Sequence, residues 1–263
     1  MGIGVFDSIL IAARHIVKNL FHNPATFMAP GSGRRLMKPG ACGYHRRNLQ
    51  NNKERFMAKT IALFGATGGT GREILQQALA RGYTVRALAR TPDKLAPAPD
   101  GLTVIQGDVL DPDPVAETVT GCDAVVITLG NTASNPDFVV SDGTRHILEA
   151  MTRQGIQRLL VVTSLGVGDS KDQVPLAFKL LMKTALRKVM EDKERQEAMV
   201  RASGLDWTII RPGGLVDGPA TGDYRVGTDK SLKAERVARA DVAAFLLDQL
   251  ESEKYAGAAV AIT

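Results

Sequence analysis

Three glycines spaced G-x-x-G-x-x-G, namely Gly65, Gly68 and Gly71, form the pattern in this sequence that most directly predicts chemistry. Glycine lets a backbone turn tightly and approach a pyrophosphate with no Cβ in the way. The glycines lie between an apolar run at residues 61–64 and a segment with apolar residues at helical spacing. The free N–H groups at such a helix start would face the anion. A tight turn without a ligand would use the same residues, but the strand and helix around the loop favour a dinucleotide site. Its predicted contacts are Gly65, Thr67, Gly68, Gly69, Thr70 and Gly71.

Two cations after the next predicted strand, residues 83–89, indicate which dinucleotide binds. Proteins that select NAD place Asp or Glu near this point to accept hydrogen bonds from the ribose hydroxyls. This chain has Arg90 and Lys94 instead. An arginine fork matches a phosphate group, so the pair favours NADP(H). The alternative is two solvated charges on a loop.

Other polar or glycine-containing segments follow the remaining predicted strands. Asp108 and Val109 follow residues 102–106, and Ser164 follows residues 157–163. The carboxyl ends of parallel strands share one edge of a sheet, where cofactors lie in such folds. Asp108 could therefore accept a hydrogen bond from the adenine amino group, although an aspartate in a turn is nearly as good an interpretation.

The elements that position these residues alternate between strand and helix. Predicted strands at 61–64, 83–89, 102–106, 122–129, 157–163, 205–210 and 258–262 are separated by helical segments, the longest of them at 175–202. This alternation predicts an α/β fold with a doubly wound (Rossmann) parallel sheet in a single domain, residues 58–263. The turn-rich residues 217–225 predict a small substrate-side region near the C-terminus.

The charge of the chain is divided unevenly between two regions. Residues 1–57 contain nine of the 33 Lys and Arg residues but two of the 28 Asp and Glu residues, so the other 206 residues have a net charge of −2. The basic character therefore belongs to the N-terminal extension and does not indicate nucleic-acid binding by the folded domain. The sequence has two cysteines, Cys42 and Cys122, with neither a disulfide framework nor zinc-ligand spacing. We therefore expect no metal site and a reducing compartment, the cytoplasm.

The N-terminal extension, residues 1–57, combines a basic amphipathic helix with a segment rich in Pro, Gly and Arg that we expect to be disordered. Three interpretations are open. The extension is an organelle-targeting presequence, an anchor that contacts a membrane surface, or an upstream extension ahead of a start at Met57.

From Met57 onward the chain resembles the atypical short-chain dehydrogenase/reductases, and more narrowly their NAD(P)H-binding group of NmrA-like proteins and biliverdin-IXβ/flavin reductases. The motifs that carry the resemblance are GATGGTG at 65–71, ARTPDKL at 89–95, GDVLD at 107–111, GCDAVVITLG at 121–130, TSLG at 163–166, SGLDWTIIRPGGL at 203–215, DGPATGDYRV at 217–226 and RADVAAFLLDQL at 239–250. The resemblance implies adenine and ribose contacts at Asp108 and Val109, 2′-phosphate contacts at Arg90 and Lys94, and contacts around the nicotinamide at Leu129, Gly130, Thr163, Ser164, Pro212 and Gly213.

The chain departs from this family pattern at the residues that would donate a proton to the substrate. The Tyr-x-x-x-Lys acid of classical short-chain dehydrogenases is absent, because no tyrosine lies between Tyr83 and Tyr224. Gly213 stands where biliverdin-IXβ-type reductases have a histidine. Lys193 and Glu197 match a lysine and a glutamate that many atypical members carry, although such a charged run is more often a solvated helix face. Ser164, Lys193 and Tyr224 are the candidate catalytic residues.

Two functions follow from these residues. The first is an NADPH-dependent reductase that passes hydride to a flat small-molecule acceptor such as a flavin, quinone or tetrapyrrole. The second is a non-catalytic redox sensor of the NmrA-like type that binds NADP(H) and reports to a protein partner. The same fold supports both functions, so the fold cannot decide between them. We expect the protein to be a monomer or a homodimer.

Overall fold

The computed structural model of the protein describes residues 60–132, 135 and 137–263. The predictions for residues 1–57 lie outside this part of the chain and stay predictions. The same holds for the prediction that the domain begins at residue 58.

Ten strands and six α-helices form the described part of the chain. The strands are β1 Thr60–Phe64, β2 Thr84–Ala89, β3 Leu102–Gln106, β4 Ala124–Ile127, β5 Arg158–Val162, β6 Asp206–Pro212, β7 Gly214–Val216, β8 Val226–Gly227, β9 Arg236–Ala238 and β10 Ala258–Ile262. The helices are α1 Gly69–Ala80, α2 Pro112–Val119, α3 Val139–Gln154, α4 Leu176–Lys183, α5 Arg187–Ala202 and α6 Arg239–Asp248. Short 3-10 helices lie at Pro92–Leu95, Gly168–Gln173 and Gln249–Glu251.

The main sheet has the strand order β3-β2-β1-β4-β5-β6-β10-β8, and every pair except β10 with β8 is parallel. β1 pairs with β2 on one side and with β4 on the other. The chain therefore reverses its direction of winding between β1 and β4, and the crevice at the carboxyl ends of such strands is where ligands bind in this kind of sheet. The predicted doubly wound fold is confirmed.

Each face of the main sheet has its own apolar core. On one face, α1 and α6 pack against side chains such as Ile61, Leu63 and Ile210. On the other face, the core includes Phe64, Ile127 and Ile209 together with residues of α2, α3 and α5. Strands buried on both faces require nearly continuous apolar runs, which is why their positions could be predicted from the sequence.

Two features of the fold differ from the prediction. The helical segment predicted at 175–202 is two helices, α4 and α5, separated at residues 184–186. β7 and β9 form a separate two-stranded parallel sheet, and β8 adds an antiparallel edge strand to the main sheet. These strands have two or three residues each, too few to produce a recognisable alternation of apolar and polar residues.

Candidate functional site

The glycine loop lies at the point where the direction of winding changes. Gly65 has φ 94°, and a Cβ there would stand 2.7 Å from the carbonyl oxygen of Thr128 at the end of β4. A Cβ on Gly71 would overlap the carbonyl oxygen of Gly65. Gly68 N–H donates to the same carbonyl oxygen at 3.0 Å. The first and third glycines are therefore required by close backbone packing, as the sequence pattern predicts.

The N-terminus of α1 has no capping side chain. Gly68 occupies the N-cap position, and the first turn contains no acidic residue. By contrast, Asp111 caps α2 through the N–H of Asp113 at 3.1 Å. An uncapped helix start leaves N–H groups and the positive end of the helix dipole for an anion. The loop is therefore suited to hold a pyrophosphate.

Three cationic side chains lie around the end of β2. Arg72, in the first turn of α1, donates from Nε to the carbonyl oxygen of Thr67 at 3.2 Å and from Nη2 to that of Lys94 at 3.3 Å. It thereby links the glycine loop to the segment that carries Lys94. Arg90 and Lys94 are exposed, and neither makes a side-chain ion pair within the described ranges. Arg72 is not among the residues predicted from the sequence, although its place directly after the third glycine was an available signal.

A fourth cation, Arg239, reaches the glycine loop from the start of α6. A Cβ on Gly69 would stand 2.8 Å from its Nε. Its Nη1 donates to Asp217 Oδ1 at 2.7 Å, and that carboxylate is almost fully exposed. Arg239 is the first residue of the RADVAAFLLDQL motif, but no local pattern in the sequence predicts its contact with a loop so distant along the chain.

The predicted adenine contacts, Asp108 and Val109, lie after β3. Asp108 Oδ1 accepts from the N–H of Leu110 at 3.0 Å, which is the turn geometry considered as the alternative. Val109 is buried and packs against α3, because a Cβ on Gly143 would stand 2.6 Å from Val109 Cγ2. Both residues lie at the carboxyl edge of the sheet, and their adenine contacts stay predictions.

After β4, Leu129 is partly buried and Gly130 is exposed, with open space where a Cβ would stand. The next residue, Asn131, donates from Nδ2 to Asp192 Oδ2 at 2.9 Å. Asp192 is fully buried and also accepts from the N–H groups of Val140 and Ser141 at 3.1 and 2.7 Å. One carboxylate on α5 thus caps the start of α3 and holds the chain segment that follows Gly130.

At the end of β5, Thr163 is buried and donates from Oγ1 to Glu197 Oε1 at 2.8 Å. Glu197 also accepts from Arg211 on β6, from Nε at 2.9 Å and from Nη2 at 2.5 Å. The remaining guanidinium nitrogen of Arg211, Nη1, donates to Asp169 Oδ1 at 2.7 Å. The buried ion pair of Glu197 and Arg211 therefore joins α5 to β6. Through Thr163 and Asp169 it also contacts the end of β5 and the 3-10 helix Gly168–Gln173.

One face of the charged run of α5 is therefore buried rather than solvated. Asp192, Gln196 and Glu197 are all buried, at 0%, 0% and 3% exposure. Their spacing of four and five residues places them on one face of the helix, and this spacing was the signal that the sequence analysis overlooked.

Lys193 lies on α5 between the two buried carboxylates and is partly buried. Its Nζ is 3.5 Å from the carbonyl oxygen of Thr163. Burial lowers the pKa of the Lys193 ammonium from its ordinary value of 10.5, while Asp192 and Glu197 act in the opposite direction. The structure therefore brings Lys193 to the end of β5, beside the candidate serine.

Ser164 and Tyr224, the other candidate catalytic residues, have different surroundings. The hydroxyl of Ser164 donates to the carbonyl oxygen of Leu165 at 3.0 Å. The ring of Tyr224 packs edge-on against Phe245 of α6, with centroids 6.3 Å apart, and burial raises the pKa of its hydroxyl. A raised pKa makes Tyr224 a poorer proton donor at neutral pH. The catalytic roles of all three residues stay predictions.

Pro212 and Gly213 lie where β6 meets β10. Pro212 is buried, its carbonyl oxygen accepts from the N–H of Leu165 at 2.9 Å, and the N–H of Gly213 donates to Ile262 at 2.9 Å. A Cβ on Gly213 would overlap the carbonyl oxygen of Glu235, just before β9. The backbone therefore excludes any side chain at the position where biliverdin-IXβ-type reductases have a histidine.

The glycine loop, the carboxyl edge and the α1 terminus together have the geometry expected of a dinucleotide site. A family model described as NAD(P)H-binding matches residues 65–253. The chain belongs to this family. Its NAD(P)H-binding function and its membership of an NAD(P)H-dependent oxidoreductase family are thereby confirmed, as is the resemblance to atypical short-chain dehydrogenase/reductases.

Relatives in this family include named reductases. The chain is 30% identical over 259 residues to the reductase pytE of Aspergillus terreus, covering 78% of this chain and 97% of that protein. It is 28% identical over 207 residues to an uncharacterized chloroplastic protein of Arabidopsis thaliana, covering 74% of this chain and 73% of that protein.

Among solved structures, ChuY from Escherichia coli O157:H7, described as an anaerobilin reductase, superposes with a TM-score of 0.67 at 29% identity. The match covers 77% of this chain and 96% of ChuY. A short-chain dehydrogenase/reductase from Veillonella parvula in complex with NADP superposes with a TM-score of 0.66 at 20% identity, over 78% of this chain and 94% of that one, which is a likeness of fold.

Within residues 60–132 and 137–263, no helix is both long enough and apolar enough to cross a bilayer. Over the same residues, no three side chains of His, Cys, Asp or Glu lie close enough together to hold a metal ion. Cys122 is buried and free, and burial raises the pKa of its thiol to about 11.

Proposed function

We propose that the protein is an NADPH-dependent reductase that transfers hydride to a flat, conjugated acceptor such as a flavin, quinone or tetrapyrrole. The observation that carries this proposal is the pairing of an uncapped dinucleotide loop with a site edge near Ser164 and Gly213 at which the described residues place no histidine and no tyrosine of ordinary pKa. Lys193, whose pKa is lowered by burial, is the remaining candidate proton donor there. Gly213 admits no side chain, and the hydroxyl of Tyr224 has a raised pKa.

The described residues fit NADPH at several points. The N–H groups at the start of α1, with Arg239 beside them, would hold the pyrophosphate, and Arg90 with Lys94 would hold the 2′-phosphate. Thr163, Ser164 and Lys193 would lie near the nicotinamide. The bound cofactor supplies the hydride, and the protein orients the two reactants.

The chemistry of the acceptor follows from the lack of a histidine or an ordinary tyrosine acid among the described residues at this part of the edge. Reduction of a simple ketone requires a proton at the developing alkoxide, which enzymes supply from a positioned side chain. In a conjugated acceptor the negative charge spreads over the ring system, and water can protonate it afterwards. The likeness to an anaerobilin reductase supports a tetrapyrrole among these acceptors. Gly213 implies that such a reaction would proceed without the histidine of biliverdin-IXβ-type enzymes.

The test is to incubate the purified full-length protein with NADPH and to follow its absorbance after addition of FMN, a soluble quinone, biliverdin or an aliphatic ketone. We expect turnover with at least one flat acceptor and little with the ketone. Efficient turnover of the ketone, with a pH profile that requires one acid, would show that a catalytic group has been overlooked.

A redox sensor of the NmrA-like type is the second candidate. The hydroxyl of Ser164 is already engaged by the carbonyl oxygen of Leu165, an arrangement that favours a structural role for this serine. In the same assay a sensor would bind NADP(H) without turning over any acceptor.

A further inference from the structure

Helix α4, Leu176–Lys183, carries an apolar stripe that the rest of the domain does not cover. Leu176 is 82% exposed and Leu180 is 65% exposed. Among the described residues, these two are the large hydrophobic side chains that lie exposed to solvent. Four residues separate them, so they lie one turn apart on the same face of the helix. Ala177 beside them is also exposed.

The opposite side of α4 explains why the stripe faces outward. Phe178 and Met182 pack against a small apolar cluster that includes Leu165 and Val174. A Cβ on Gly166 would stand 2.7 Å from Met182 Sδ. The helix is therefore fixed to the domain by one face, and the leucines project from the other.

The charged residues of α4 and of the segment just after it are all positive. Residues 176–188 contain Lys179, Lys183, Arg187 and Lys188 and no Asp or Glu. Lys179 pairs with Asp172 at 2.6 Å, and Lys188 pairs with Asp137 at 2.5 Å. Lys183 and Arg187 are exposed and make no side-chain ion pair within the described ranges.

Lys183 lies on the same helix face as the two leucines, since it follows Leu176 by seven residues, about two turns. Exposed leucines flanked by unpaired cations are the composition by which short amphipathic helices bind the surface of an anionic bilayer. The leucines enter the boundary between headgroups and acyl chains while the cations contact the lipid phosphates.

We propose that the outer face of α4, formed by Leu176, Leu180 and Lys183, docks the protein on an anionic membrane surface, with Arg187 at the start of α5 adding positive charge. This inference goes beyond the proposed function and does not depend on it. α4 follows β5, so docking would hold the carboxyl edge of the sheet, where the candidate site lies, close to the bilayer.

The first experiment measures co-sedimentation of the full-length protein with vesicles. Vesicles of phosphatidylcholine containing about one third phosphatidylglycerol are compared with vesicles of phosphatidylcholine alone. We expect binding to the anionic vesicles that weakens as salt is added. Absence of binding to the anionic vesicles would overturn the proposal.

The second experiment assigns the binding to α4. Because the leucines are exposed, Leu176→Gln/Leu180→Gln should fold normally and bind NADPH as the unmutated protein does. Its affinity for anionic vesicles should fall about tenfold or more. Vesicle binding that is the same in this variant would place the membrane contact elsewhere in the chain, including residues 1–59, and would overturn the proposal.

A matched pair of charge reversals tests the electrostatic part. Lys183→Glu should lower the affinity for anionic vesicles about fivefold or more. Lys254→Glu changes the net charge equally but lies before β10, at the opposite edge of the sheet, and should leave vesicle binding nearly unchanged. Equal losses in both variants would show that net charge alone drives binding. If Leu176→Gln/Leu180→Gln instead converts a dimer into a monomer in sedimentation velocity, the face joins two copies of the chain and the proposal is wrong.

Discussion

The Nε of Arg239 lies 2.8 Å from the point that a Cβ on Gly69 would occupy. Gly69 is the first residue of α1, and Arg239 is the first residue of α6. The arginine occupies the space that a side chain at Gly69 would take and places a guanidinium beside the uncapped end of α1. Two sources of positive potential therefore meet at the point where we expect the pyrophosphate.

We predict that Arg239→Gln weakens the binding of NADPH and NADH equally, by about tenfold each, because both cofactors contain the pyrophosphate. Fluorescence titration with each cofactor provides the measurement. Asp217→Asn is the control, since it removes the ion-pair partner and leaves the arginine in place. Unchanged dissociation constants in Arg239→Gln would contradict a role for this arginine at the phosphates.

Arg90→Ala should affect one cofactor only. The unmutated protein is expected to bind NADPH more tightly than NADH, and loss of a charge-assisted contact to the 2′-phosphate should remove most of the difference, of order 1.5–3 kcal/mol. Lys94→Ala should have a smaller effect. Equal dissociation constants for the two cofactors before any mutation would refute the preference for NADP(H).

Gly213→Ala is expected to lower the free energy of unfolding by about 1–3 kcal/mol, because the added methyl group overlaps the backbone of Glu235. Gly130→Ala is the matched control, since the space around Gly130 is open and its φ is not positive. Urea unfolding of both variants gives the comparison. Equal stability of the two variants would mean that the strand junction at Gly213 can move apart at little cost.

The buried pair of Glu197 and Arg211 should behave asymmetrically. Glu197→Leu leaves the guanidinium buried with one exposed partner and should cost about 3–5 kcal/mol, whereas Glu197→Leu/Arg211→Met should recover much of that loss. Glu191→Leu, which removes a surface pair with Arg195 on the same helix, should change stability by about 0.5 kcal/mol or less. A double variant no more stable than Glu197→Leu would argue against this account.

Lys193 should make stability depend on pH. Burial lowers its pKa in the folded protein below 10.5, so between the folded and unfolded values the unfolded chain binds more protons and stability rises with pH. Lys193→Met removes this contribution, and its free energy of unfolding should rise less steeply with pH below 10.5. Parallel curves for the two proteins would show that the lysine is not desolvated by folding.

The parts of the fold that sequence reasoning predicted depend on local patterns. β3 and β10 have the predicted bounds, and the glycines at 65 and 71 have the close contacts that their spacing predicts. The parts it missed depend on contacts between distant residues. The approach of Arg239 to the glycine loop has no local signature.

The charged run of α5 shows the same limit. Asp192 and Glu197 have the composition of a solvated face, and only the partners brought by β4, α3 and β6 make their burial favourable. Whether a polar residue lies in the core depends on what the rest of the chain offers it.

The cap on α3 also sets an order in which parts of this chain can fold during synthesis. The N–H of Val140 binds Asp192, which follows it by 52 residues. A ribosome adds residues from the N-terminus, so the first turn of α3 leaves the exit tunnel well before the carboxylate that satisfies it. Until α5 has been made, that helix start must be solvated by water, and the nascent chain cannot close this face of the sheet. The glycine-loop half of the sheet therefore completes its contacts on this face only after α5 has been made.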